Sequence, residues 1–200
     1  MPRPSKRDEI LRVAGDLFMA HGYRRVSIDQ IVEAVPISKP TLYAHFEDKS
    51  ELFIAVIQRR CQRLMEHMQS TIGAGQAVDE TLFGIGYEFL EMVLSKQSIQ
   101  MHRMLTAEID EFPAVAKLFF NSGPQQMHLL LVHYLREQHR KKTLCVKDAE
   151  LSADMFLSMI KGYAHLKRLF GIAAPPSKKQ MRARVRYAVD MFLTAHAIKR

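Results

Sequence analysis

The side chains best suited to chemistry in this sequence are hydrogen-bond donors for phosphate rather than acids, bases or nucleophiles. Ser27, Ser38 and Lys49 each fall at the start of a helical pattern, where free backbone N–H groups and the helix dipole favour an anion. Tyr43 and His45 add two more donors, and Arg24, Arg25, Lys6 and Arg7 lie nearby in sequence. Between them Lys39-Pro40-Thr41 opens a short stretch in which Leu42 and Phe46, four residues apart, must face a core. At about 100° per residue, Pro40 and Ala44 then point nearly opposite to Leu42, with Thr41 and Tyr43 on the flanks. An outward face so small and lightly polar can lie close to base edges in the major groove of DNA. Pro40 and the Thr41 methyl can meet thymine methyl groups, and Lys39 can reach guanine or a phosphate. Phosphate contacts of this kind position a protein, whereas base contacts specify sequence.

Other reactive residue types do not assemble. His128, His133 and His139 are five and six residues apart, which scatters them around a helix instead of placing two metal ligands on one face. Glu88 and Glu91, or Glu108, Asp110 and Glu111, have neither a nucleophile nor a phosphate cradle beside them, so catalysis is not expected. No cofactor or metal is called for. Cys61 and Cys145 are far apart and form no CxxC pair; both read as reduced cysteines packed in helices.

The chain of 200 residues is 48% apolar with a formal charge of +8. That excludes disorder and suits a polyanionic partner. The charge is unevenly placed. Residues 1–60 carry ten Lys/Arg against eight Asp/Glu, whereas residues 136–200 carry fifteen against five. Bulk charge therefore does not locate a DNA site, and the motif must. No run of about 18 apolar residues can span a membrane, and the charged N-terminus lacks the apolar stretch of a signal peptide. A cytoplasmic protein with no membrane association is expected.

The elements that must position these residues are helices. Ile10, Val13, Ala14, Leu17 and Phe18 form an amphipathic stripe from about residue 5 to His21, with Gly22 expected in the left-handed conformation. Ser27 and Gln30 have the spacing of a capping box, and the helix they open is stopped by Pro36 after two turns. Ser38 caps a second short helix over 39–46, with Pro40 in its first turn. Asp48 and Glu51 repeat the capping-box spacing and open a long helix to about residue 70. A break over 72–75 follows, then helices over about 78–95 and 98–110, a restart at Phe112-Pro113, and a further break at 121–124 before a helix ending near Arg140. Two long helices, about 148–171 and 178–197, close the chain. The fold class is all-α: an N-terminal three-helix helix-turn-helix domain joined by a long helix to a helical bundle.

The run Ser27-Ile28-x-x-Ile31-Val32 followed by Ile37-Ser38-Lys39-Pro40-Thr41-Leu42-Tyr43-Ala44-His45-Phe46-x-x-Lys49-x-x-Leu52 closely resembles the DNA-binding domain of the TetR family of bacterial regulators. The resemblance covers roughly residues 5–55; more weakly, Glu108-x-x-x-Phe112-Pro113 resembles the family's regulatory domain. It implies a ligand-responsive transcription factor, most often a repressor, with a DNA-binding domain over 1–50 and a ligand-binding and dimerisation domain over 51–200. Contacts to double-stranded DNA at a palindromic operator would fall on Ser27, Ser38, Lys39, Pro40, Thr41, Tyr43, His45 and Lys49. The last two helices resemble the family's dimerisation pair, which implies a homodimer. A small apolar or amphipathic effector is implied, with Phe89, Met92, Met101, Met104, Met127 and Met159 as candidate lining, since methionine adapts to varied apolar ligands. The five basic residues Lys178, Lys179, Arg182, Arg184 and Arg186 read as a solvated face rather than a second nucleic-acid site. One departure stands out: the family commonly has glycine where this chain has Pro36, and because proline cannot adopt positive φ the turn must be built differently. The competing readings are a helical enzyme or binding protein without DNA function, and a nucleoid-type protein without sequence preference.

Overall fold

In the computed structural model the described residues are 5–72, 76–110 and 113–198; for residues 63, 64, 67–72 and 108 only the backbone is described. Among them the chain is helical without strands: α1 Lys6–His21, α2 Ile28–Ala34, α3 Lys39–Tyr43, α4 Lys49–Ile72, α5 Val78–Leu94, α6 Lys96–Glu108, α7 Pro113–Ser122, α8 Pro124–Arg140, α9 Ala149–Leu169 and α10 Lys178–Ala195. The expected breaks at 73–75 and at Phe112 lie outside the described residues.

Helix starts follow their capping residues. The Ser5, Ser27, Ser38, Asp148 and Ser177 side chains each accept a backbone N–H three residues on, which satisfies one of the donors a helix start leaves unpaired. The box at Ser27–Gln30 is complete in both directions. At α4 only half of the expected box forms. Asp48 accepts from the Glu51 N–H, but the Glu51 carboxylate accepts from the N–H of Glu47 rather than of Asp48.

The chain divides into two compact units, residues 1–63 with 100–122, and residues 64–99 with 123–200. In the first, α1–α3 close on a core built from Ile10, Phe18, Ile31, Leu42, Phe46, Leu52, Phe53 and Ile57. Phe18 and Phe53 meet edge to face, with ring centroids 5.2 Å apart. Met101, Met104, Leu105 and Val115 from α6 and α7 join the same core. In the second unit Leu82, Ile85 and Leu90 of α5 pack with Leu131 and Leu135 of α8, Phe156 and Ile160 of α9, and Val185, Val189 and Phe192 of α10. Gly86 lets these helices approach: a β-carbon there would stand 2.7 Å from Ile160 Cδ1 and 2.9 Å from Val185 Cγ1.

Three local features differ from the sequence expectations. Gly22 has positive φ, but at φ 84° and ψ 159° it occupies an extended region open to glycine alone rather than the left-handed helical one. Pro36 has φ +25°, so the turn keeps the positive φ expected to be excluded there. Val35 N–H donates to Ile31 O at the end of α2, and Ile37 N–H donates to Val32 O across Pro36. Third, α9 is broken at Gly162, with φ 38° and ψ −150°. The carbonyls left without helical partners are taken by Arg184 of α10, whose Nε donates to Ile160 O at 2.6 Å and Nη2 to Met159 O at 2.8 Å.

The solvated-face reading of α10 holds for Lys178, Lys179, Arg182 and Arg186, which are exposed, but not for Arg184, which is half-buried. Arg182 lies over the Tyr87 ring at 5.3 Å and Arg186 over the Phe83 ring at 4.5 Å, the two rings being stacked along α5. Arg182, Arg184 and Arg186 therefore tie α10 to its neighbours through cation–π contacts and carbonyl caps.

Candidate nucleic-acid interface

α2 and α3 are joined by the tight turn at Pro36, and α3 is shorter than the 39–46 expected. Its last helical residue is Tyr43, and beyond it His45 N–H reaches back only three residues to Leu42 O, the tightening common at helix ends. Phe46 N–H still donates to Leu42 O, so Phe46 reaches the core although it lies beyond the helix. Leu42 and Phe46 are buried, while Lys39, Pro40, Tyr43, Ala44 and His45 are exposed and Thr41 is half-buried. The face turned outward is the small, lightly polar one that the spacing required.

The side chains around that face are positioned individually. Ser27 Oγ accepts from Gln30 N–H at 3.2 Å, so its own proton stays available for a phosphate. Ser38 Oγ accepts from Thr41 N–H and is 2.8 Å from Thr41 Oγ1, which couples the two hydroxyls in one hydrogen-bonded pair. Lys49 holds its ammonium 4.3 Å from the centre of the Tyr23 ring, and the Tyr23 hydroxyl is 3.0 Å from Ser50 Oγ. The buried Tyr23 thus orients the amine at the start of α4. Arg7 lies over the Phe46 ring at 5.1 Å, and Lys6 pairs with Glu9 within α1.

One contact was not foreseen. Lys39 Nζ is 2.6 Å from Asp29 Oδ1, across the turn from α3 to α2. The hydrogen bond and the charge of Asp29 together raise the Lys39 pKa above its ordinary 10.5. Asp29 occupies an unspecified position of the motif, and its exposed place in the first turn of α2 reads from sequence as a capping preference. Contact with Lys39 depends on the turn geometry, which periodicity does not encode.

The candidate effector-lining residues do not gather at one place. Met101 and Met104 are buried in the core of the first unit, Phe89 and Met127 in that of the second, and Met92 and Met159 sit at the margin of the latter. Separate cavities lie in the second unit. One of about 570 Å³ is floored by Leu90, Leu94 and Met181 and edged by Tyr163, Lys167 and Arg184. Another, of about 530 Å³, is more polar, with Thr81, His133, Tyr134 and Gln138 in its wall. His128 and His139 each engage the backbone through a ring nitrogen, at Glu150 O and Val146 N.

Comparison with known proteins agrees with this geometry. The family described as bacterial regulatory proteins, tetR family, matches residues 10–56. The family described as AefR-like transcriptional repressor, C-terminal domain, matches residues 80–198, more than half of the chain. The HTH-type transcriptional activator FasR of Mycolicibacterium smegmatis is 35% identical over 72 residues, 36% of this chain; the match spans only 33% of FasR. A structure described as a TetR-family transcriptional regulator from Mesorhizobium loti superposes with a TM-score of 0.90 at 19% identity, covering 96% of this chain and 97% of that one; at that identity the likeness is one of fold. The flavonoid-responsive regulator FrrA is 28% identical with a TM-score of 0.77 over 96% of both chains. Two families of regulators matched in tandem, and a helix-turn-helix with its reading face exposed, have one explanation: the chain belongs to the TetR family of DNA-binding transcriptional regulators and is not an enzyme.

Proposed function

We propose that the protein is a homodimeric, effector-responsive repressor that binds a palindromic operator in the cytoplasm. The exposed face of α3 carries the proposal: Lys39, Pro40 and Thr41 are placed to meet base edges, while Ser27, Ser38, Tyr43, His45 and Lys49 around them are suited to phosphate. Residues 1–50 form the DNA-binding part and 51–200 the regulatory part. Repression is favoured by the match of residues 80–198 to a family described as repressors.

Dimerisation is assigned to α9 and α10. Leu151, Met155, Tyr163 and Leu166 of α9, Phe170 at its C-cap, and Tyr187 and Met191 of α10 are large apolar or aromatic side chains left exposed. A two-fold dimer needs a self-complementary patch of this kind. Response to a small molecule is supported by cavities of a size that takes one and by the name of the structural relative FrrA. The effector would favour a dimer whose recognition helices no longer match half-sites about 34–36 Å apart, with α4, which has residues in both units, as the lever.

The test is a gel-shift titration at physiological salt, using DNA flanking the protein's own gene against a scrambled duplex of equal length. If the flanking DNA fails, an operator selected from random sequence replaces it. Preference for one sequence by about a thousandfold or more is expected. Equal, salt-sensitive binding of every duplex would make the protein a non-specific DNA binder. No binding by the folded protein would remove the DNA function.

A further inference from the structure

The ion pair between Asp29 and Lys39 places a carboxylate beside the surface proposed to meet DNA. Both side chains are solvent-exposed, at 71% and 51%, so the pair is not needed to hold the fold together; exposed pairs contribute little to stability. Its significance lies in what Lys39 can then do. An unrestrained lysine facing DNA is a sequence-blind cation that can meet any phosphate and release counterions there. Lys39 at 2.6 Å from Asp29 must break that pair to follow a phosphate, and doing so leaves Asp29 facing the polyanion. Toward a base edge the pair can stay intact: two ammonium protons remain for guanine O6 or N7, and the free carboxylate oxygen can accept from a cytosine amino group. A correct base is thus rewarded and an incorrect one leaves a charge uncompensated, the asymmetry on which specificity depends.

We propose that Asp29 is a specificity-determining residue, positioning Lys39 for base reading and withholding it from phosphate. The proposal rests on α3 being the DNA-reading element. Asp29→Ala removes the restraint, and Asp29→Asn removes the charge while keeping an acceptor should the alanine variant fold poorly. Operator and scrambled-duplex affinities are measured for wild type, Asp29→Ala, Lys39→Ala and the double variant, each over a range of salt.

In Asp29→Ala, scrambled-duplex affinity is expected to rise about threefold to tenfold and operator affinity by less than about twofold, with the salt slope of scrambled binding steeper by about one. Asp29→Asn is expected to fall between that variant and wild type. In the Lys39→Ala background the same substitution is expected to leave discrimination unchanged. The proposal is overturned if Asp29→Ala shifts both affinities by the same factor or leaves them unchanged. It is also overturned if narrowing persists without Lys39, since Asp29 would then act by simple repulsion. Wild-type protein that does not discriminate between duplexes at all defeats the DNA-reading assignment itself, a result distinct from discrimination that Asp29 does not affect.

Discussion

At the scale of single residues, the proposed interface would separate side chains that anchor from those that choose. Tyr43 is half exposed on the flank of α3, at 48%, and the proposed function would give its hydroxyl a phosphate to bind. Tyr43→Phe is expected to weaken operator and non-operator binding alike, by about 1 kcal/mol or roughly fivefold. A change confined to the operator would assign Tyr43 to base reading instead. Cys61 belongs to the core, and its burial raises the thiol pKa from 9.0 to about 11. A raised folded-state pKa favours the folded state fully below the unfolded value, and that advantage is lost as pH climbs through the folded one. The melting temperature should therefore fall between pH 9.0 and about 11 more steeply in wild type than in Cys61→Ala, as followed by circular dichroism. The burial of Leu42 and Phe46 was legible from helical spacing; of the two cysteines read as packed in helices, Cys61 is buried in α4 whereas Cys145 is exposed outside any helix. The Asp29–Lys39 pair was not legible, because it joins two helices across a turn.

At the scale of elements, capping chemistry carried most of the helix starts, and exceptions arose where the backbone departs from local preference. Pro36 is the clearest. Its ring favours φ near about −65°, yet the turn between α2 and α3 holds it at +25°. The break in α9 was equally invisible in sequence. Gly162 lies within a continuous apolar pattern, and only the guanidinium of Arg184 over Met159 O and Ile160 O explains why a helix tolerates an interruption there.

At the scale of the whole molecule, the family was legible from one short stretch, residues 27–52, and the all-helical class from apolar spacing along the chain, whereas the effector site was not. Methionine-rich helical patterns describe a core as well as a pocket, and the six candidates proved to be divided between the cores of the two units. The proposed dimer face admits a direct check. Tyr163→Glu with Leu166→Glu alters only exposed positions and should leave the helical signal intact. Sedimentation should then report a monomer, and operator affinity should fall at least a hundredfold, roughly the advantage that linking two half-site contacts confers. A dimer that persists would place self-association elsewhere.

The arginines of α10 also bear on how the protein can be engineered for crystallisation. A designer reducing surface charge and side-chain entropy would be drawn to the basic run at residues 178–186, since by composition it is the most expendable surface on the chain. Three of its members, Arg182, Arg184 and Arg186, fasten the helix to the α5 rings and to the broken turn of α9. Lysine in their place would keep the charge but lose the planar fork that makes those contacts. Lys178 and Lys179, exposed in the first turn of α10, are the positions in that run where a shorter neutral residue can be introduced without loosening it.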